Sequence, residues 1–178
     1  MKKILAFSAS ASKKSINALF IEYIASRISN HAIEIINLHD YEAPFYSVEI
    51  EEKNGVPPII KKLYELFEMS DAFIISCPEY NSSVPAFFKN TTDWLSRIDR
   101  TFFRNKPMLF FSTSPGPMGG SINRRILEKT FPRFNSNIRA SYSLPNFYDN
   151  FNLSENQLIE NDKKKLVDAI IKEFEKNL

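Results

Sequence analysis

The chain has 178 residues, 43% hydrophobic and 25% charged, with 23 basic against 21 acidic side chains; that size suits one domain with its own core, read here as spanning residues 1–178, rather than two. A net charge of +2, with basic residues spread along the chain, argues against nucleic acid as a partner. The single cysteine, Cys77, permits no intrachain disulfide and gives no reason for an oxidising compartment.

Met1-Lys2-Lys3 ahead of Ile4-Leu5-Ala6-Phe7 mimics the start of a secretory leader, but the apolar run is too short and the charge returns at Lys13-Lys14. Lys3 to Ser8 reads instead as a buried first strand, and a cytoplasmic protein without membrane insertion is expected. Ile16, Leu19, Phe20, Tyr23, Ile24 and Ile28 recur at helical spacing after Ser15. Ala32 to Leu38 reads as a second strand. His39 to Val56 has no clear period and carries Pro44, Asn54 and Gly55, so a long loop is expected there. Pro57-Pro58 opens a helix with Ile60, Leu63, Tyr64 and Phe67 on one face. Asp71 to Cys77 suits a strand buried on both sides, and a helix follows with Val84, Phe87, Phe88, Thr91, Trp94, Leu95 and Ile98 on one side. Pro107 to Phe111 reads as a fourth strand, Ser121 to Phe131 as a helix, and a fifth strand lies within Asn137 to Leu144. Asn146 to Leu153 reads as loop. Ser154 and Gln157 have the spacing of a capping box before a last helix striped by Leu166, Ile170, Ile171 and Phe174. Such alternation of strand and helix specifies a parallel sheet covered by helices.

In that architecture all strand-to-helix loops lie at the carboxyl edge of the sheet, where ligands bind. Three such loops are rich in small polar residues, Pro or Gly. Ser8 to Asn17 offers serine hydroxyls, a helix start and two lysines, a donor array suited to a phosphate monoester, though a plain serine cap reads equally well from this loop alone. Pro78-Glu79-Tyr80-Asn81-Ser82-Ser83-Val84-Pro85 combines rigid, aromatic and amide groups of the kind a flat heteroaromatic ring needs. Ser112 to Gly120 holds three of the four glycines, where backbone must approach closely or take a positive φ.

Together these stretches resemble the NADPH-dependent FMN reductase family, which includes quinone, chromate and azo-dye reductases. The resemblance runs from Lys3 to about Phe131 and is most specific over Pro78 to Trp94, similar to the family's Pro-Glu-Tyr-Asn motif and the Lys-Asn-x-x-Asp-Trp helix after it. The first loop is similar to a Gly-Ser-x-Arg-x-x-Ser-x-Asn phosphate loop, with Ala9 in place of the glycine and Ser12 in place of the arginine, which removes a bidentate contact. The resemblance implies a flavodoxin-like three-layer α/β/α sandwich whose five-stranded parallel sheet has the order 2-1-3-4-5. It implies FMN as cofactor, with Ser10, Ser12, Ser15 and Asn17 on the phosphate, Pro78, Glu79, Tyr80 and Asn81 along the isoalloxazine, and Ser114 and Gly116 at its other side. NADPH or NADH would deliver hydride through FMN to a quinone, free flavin, azo compound or metal oxyanion. A homodimer or homotetramer is implied as well; Tyr41, Phe45 and Tyr46 and the Thr101-Phe102-Phe103 segment are candidates for its interface or for core.

No side-chain nucleophile or acid–base pair is required of such a protein, since the flavin carries the chemistry. His31 and His39 lack metal-site spacing, and no Gly-x-Ser-x-Gly elbow exists. Glu79 is expected to contribute through its backbone, Lys89 and Asp93 to form an i,i+4 pair, and Arg124 and Arg125 to lie on a solvated helix face. A flavodoxin-type electron carrier and a flavin-binding sensor remain the competing readings; the slight basic balance counts against a carrier.

Overall fold

Runs of apolar residues buried on both sides build the centre of the molecule. In the computed structural model, which describes residues 1–178, the strands are β1 (Lys3–Ser8), β2 (Ala32–Ile36), β3 (Ala72–Ser76), β4 (Pro107–Thr113) and β5 (Asn137–Leu144). All pair in parallel in the order β2-β1-β3-β4-β5, the expected flavodoxin-like arrangement. Every residue of β3 is buried, and Ile4 to Phe7 of β1 are fully so. Side chains alternate across the strands, so each face feeds its own core layer. Ile4, Ala6, Ile74, Leu109 and Phe111 share one layer with Phe20 and Ile24 of α1 (Ile16–Ser26) and Ile171 and Phe174 of α7 (Asp162–Lys176). Leu5, Phe7, Phe73, Ile75 and Phe110 share the other with α3 (Pro58–Met69), α4 (Ala86–Ile98) and α5 (Ser121–Thr130).

From β1 the chain passes to β2 on one side of the sheet and later returns to β3 on the other. The order therefore reverses between β1 and β3, the position at which open sheets hold ligands. No helix is long and apolar enough to cross a membrane.

Three expectations about secondary structure are corrected. The expected loop from His39 to Val56 contains a 3-10 turn (Leu38–Tyr41) and a two-turn helix, α2 (Val48–Asn54). Ser47 Oγ caps α2 by accepting from the Ile50 N–H, and Gly55 ends it at φ +69°; with no buried residue, α2 leaves no apolar period in the sequence. Asn146 to Leu153 is likewise not all loop: α6 (Phe147–Asn150) leads into a hairpin of β6 (Phe151–Asn152) and β7 (Gln157–Leu158), held by the stack of Phe147 on Phe151. Ser154 caps no helix, because its hydroxyl donates to Asn152 within that hairpin; Asn161 caps α7 by accepting from Lys163 and Lys164. Of the two readings left open for the Thr101-Phe102-Phe103 segment, core holds for both rings: Phe102 and Phe103 are fully buried against Phe67 and Phe73.

Arg124 is not a solvated side chain either. Its guanidinium donates to Ser143 Oγ at 2.9 Å and Ser141 Oγ at 2.7 Å and pairs with Glu128, tying α5 to the edge strand, whereas Arg125 is exposed. The Lys-Asn-x-x-Asp-Trp pattern of α4 also has a folding task. Asn90 Nδ2 donates to the Ala43 and Pro44 carbonyls, Asn90 Oδ1 accepts from the Tyr46 N–H, and Trp94 Nε1 donates to the Pro44 carbonyl at 2.7 Å. One turn apart, these two side chains fix the segment after β2 across α4, with Tyr46 edge-on to the Trp94 ring. Lys89 and Asp93 form the expected pair on the exposed side.

Trp94→Phe removes the shorter of the two hydrogen bonds to the Pro44 carbonyl and leaves it only the 3.2 Å bond from Asn90. Urea unfolding is expected to show a loss of about 0.5–1.5 kcal/mol from that bond, while Phe45→Ala, at a side chain 73% exposed, is expected to stay within about 0.5 kcal/mol of the parent.

Candidate functional site

The loops after β1, β3 and β4 meet over the switch point. Between them lies a cavity of about 230 Å3 lined by Ser10, Ser12, Ser15, Asn17, Pro78, Glu79, Tyr80 and Ser114, together with Lys14, Ile16, Thr113, Pro115 and Tyr148. Eight of the residues singled out in the sequence thus share one wall. Asn81 and Gly116 lie outside it: Asn81 is exposed at the apex of a turn, and Gly116 stands in the next loop with open space where a Cβ would be.

The first loop is a chain of serine turns. Ser8 Oγ accepts from the Ser10 N–H, Ser10 Oγ from Ser12, Ser12 Oγ from Lys14 and Ser15 Oγ from Asn17, each at 3.1–3.3 Å. With the amides of Ser10, Ser12, Lys14 and Asn17 taken in this way, those of Ala11, Lys13, Ser15 and Ile16 have no protein acceptor. Ser15 caps α1, so the free Ser15 and Ile16 amides stand at the positive end of a helix dipole, and both residues line the cavity together with Lys14. Lys13 turns instead to a neighbouring polar hollow on the β2 side, which also contains Asn37, His39 and Asp40. Such a set of donors is built to receive an anion.

Asn17 is 1% exposed, and its amide faces inward. Oδ1 accepts from Ser76 Oγ at 2.7 Å and the Thr113 N–H at 3.1 Å, while Nδ2 donates to the Thr113 carbonyl at 3.1 Å. One side chain thereby joins the start of α1 to the ends of β3 and β4.

The second loop closes on itself. Tyr80 and Ser83 exchange two backbone hydrogen bonds at 3.0 Å around Asn81 and Ser82, both at positive φ (+50° and +58°). Two left-handed non-glycine residues in succession mark a tight turn of type I′ character, held by its surroundings. The Tyr80 hydroxyl reaches Ser10 Oγ at 3.1 Å, which links the second loop to the first. The Glu79 carboxylate does not face the cavity as a free base: Oε2 accepts from the Ile122 and Asn123 N–H groups at 2.9 and 3.0 Å, at the start of α5. Sequence reasoning assigned Glu79 only a backbone contribution, so its side chain was missed.

In the third loop the glycines differ. Gly119 (φ +58°) and Gly120 (φ +77°) are both left-handed, and a Cβ on Gly119 would lie 2.7 Å from the Leu144 carbonyl oxygen. Gly116 and Ser114 are held through their carbonyls by the Asn146 and Phe147 N–H groups. That contact brings in Tyr148, which the sequence reading left in a featureless loop; the available signal was its position after the fifth strand, at the same sheet edge. Behind the second loop, burial pushes the Cys77 thiol up to about 12, against a smaller lowering by the Asn123 amide. No group of three or more His, Cys, Asp or Glu is placed to hold a metal ion. The arrangement offers an anion cradle at one end and, at the other, apolar faces with backbone polar groups, and no nucleophile beside a base.

The model of a family described as NADPH-dependent FMN reductase matches residues 2–147. A quinone reductase of Escherichia coli is 36% identical over 80 residues, which is 45% of this chain; the chain spans 43% of that protein's length. An NAD(P)H-dependent FMN reductase of Pseudomonas aeruginosa is 28% identical over 118 residues, covering 66% of this chain and 62% of that protein. Among solved structures, FerB of Paracoccus denitrificans, a flavoenzyme NAD(P)H:(acceptor) oxidoreductase, superposes with a TM-score of 0.80 at 20% identity over 99% of this chain and 96% of its own, a likeness of fold.

Two alanine substitutions separate the glycines. Gly119→Ala is expected to cost about 1–3 kcal/mol in thermal or urea unfolding, from the clash and the left-handed backbone. Gly116→Ala is expected to change stability by less than about 0.5 kcal/mol; equal losses at both sites would contradict this geometry.

Proposed function

The chain belongs to the NADPH-dependent FMN reductase family, and from that premise we propose that it binds FMN in the cavity at the switch point and passes electrons from NADPH or NADH to a small-molecule acceptor. The observation that carries the reading is the donor array of the first loop. The unengaged amides of Ser15 and Ile16, at the start of α1 and beside Lys14 in the cavity wall, suit a phosphate monoester. Ser10, Ser12 and Ser15 shape that cradle, and Asn17 holds the frame behind it. Pro78, Tyr80, Ser114, Pro115 and Tyr148 supply what the isoalloxazine needs, apolar surface and backbone polar groups; the Glu79 and Asn81 backbones and Gly116 would border it.

FMN, when bound, supplies the hydride chemistry itself, and the protein's part is to bind, orient and shield it. The cavity volume of about 230 Å3 is smaller than the roughly 300 Å3 at which small-molecule sites begin. Part of a cofactor held there therefore stays open to solvent, as an exchange of nicotinamide for acceptor requires. Exposed Tyr80 and Tyr148 line that cavity, which favours a flat apolar acceptor such as a quinone over a metal oxyanion; free flavin and azo compounds share that shape. As further proposals, the protein is cytoplasmic, supported by its one buried thiol, and works as a homodimer or homotetramer, supported by the outward Phe45 and Val48.

Mixing the FMN-loaded protein with NADPH or NADH without oxygen is expected to bleach the flavin absorbance, and adding a quinone to restore it; a loaded protein inert to both nicotinamides would overturn the reading. Lys14→Ala is expected to weaken FMN about tenfold through the lost ammonium while leaving riboflavin, which has no phosphate, unchanged in fluorescence titrations.

A further inference from the structure

Helix α5 starts with a defect that another part of the chain repairs. Its cap position is Gly120, at φ +77° and close against Ser112, so no side-chain oxygen is available there for the first amides. The missing acceptor is Glu79, 43 residues earlier, whose carboxylate takes the Ile122 and Asn123 N–H groups. In the opposite direction Asn123 Nδ2 donates to the Pro78 carbonyl at 2.6 Å and to Cys77 Sγ at 3.2 Å, from a fully buried position. Two residues of the second loop are thus bound to one residue of α5 by reciprocal bonds, one of them charge-assisted.

This clamp acts on a loop that needs holding. Pro78 and Tyr80 line the cavity, and immediately after them the backbone enters the left-handed pair Asn81-Ser82. The carboxylate also occupies a helix N-terminus that would otherwise draw anions at the cavity's edge.

We propose that Glu79 and Asn123 are positioning residues: by locking Pro78 to Tyr80 onto α5 they set the wall against which the ring end of the cofactor rests, without touching the reacting atoms. The inference rests on the FMN reading above. It places the clamp at the ring end of the site, and the first loop alone at the phosphate end.

The test compares FMN with riboflavin on apoprotein, by quenching of flavin fluorescence, with melting curves showing that each variant is folded at the assay temperature. Glu79→Ala and Asn123→Leu are each expected to weaken both flavins about tenfold, so that the ratio of their affinities keeps its parental value. Glu79→Gln retains an oxygen for both amides and is expected to stay within about threefold of the parent; Glu79→Asp, one methylene short, is expected to resemble alanine and serves where alanine does not fold. A folded Glu79→Ala with parental affinity for both flavins would overturn the clamp, as would a loss confined to FMN. A parent protein that binds neither flavin would overturn the FMN reading and the clamp's role together, an outcome distinct from failure of the clamp alone.

Discussion

The site depends on a buried amide. Asn17 sits in the first turn of α1, and its three hydrogen bonds reach Ser76 at the end of β3 and both backbone groups of Thr113 at the end of β4. Those strand ends would otherwise turn buried polar atoms toward one another with no partner, at a cost of about 1–3 kcal/mol for each. By satisfying them, Asn17 fixes how far apart the three loops stand. The cavity is the gap that this spacing leaves. A charged residue could not serve: burial at 1% exposure without a counter-ion would cost far more than an amide does.

From this centre outward, much of the polar surface of the motifs is turned inward. Asn90 and Trp94 hold the segment after β2, Glu79 holds α5, and Asn123 holds Pro78. The Arg124 guanidinium continues the pattern at the far edge, where Ser143 passes the contact to Ser112 and so to the Gly119 carbonyl. The side chains that make the motif recognisable are therefore mostly those that bring the loops together, and backbone amides are left as donors toward the cavity. Such a division is economical where a cofactor supplies the reactivity: the protein's contribution is a fixed shape and a fixed dipole.

How much of this was legible in sequence follows from the range of each signal. The bounds of β1 could be read because its four central residues are all apolar and buried, and the order of the sheet was implied by the family resemblance that the local motifs carry. Ser15 as the cap of α1 is a local signal too. Helix α2 was illegible because none of its residues is fully buried and only Ile50 packs against the core, and periodicity reports burial. The start of α7 was misplaced because Ser154 with Gln157 has the spacing of a cap, whereas Asn161 makes the bonds. The second function of Glu79 could not be read at all, since its partners are 43 and 44 residues away and no local pattern announces them. Tyr148 was lost for a related reason: it reaches the cavity through the docking of two loops, Ser114 and Gly116 against Asn146 and Phe147.

The two departures of the first loop from the family pattern can now be weighed separately. Ala9 stands where a glycine is usual, yet its methyl group does not enter the cavity. It is fully buried in the core layer with Leu5 and Phe7, and its N–H donates to the Ser76 carbonyl. A methyl group there adds packing and obstructs no ligand. Ser12 in place of arginine is the larger change, because a planar fork with two parallel donors has no equivalent in a hydroxyl. What Ser12 does instead is accept from the Lys14 N–H, closing the turn that carries Lys14 to the cavity and leaves Lys13 on the other side. The positive charge is thus kept in the loop but moved two residues along, as a point charge in place of a fork. In the proposed FMN site, binding at the phosphate end would then rest more on the oriented amides and the helix dipole than on a side-chain grip. The geometry of the serine turns would matter there more than the identity of any one cation.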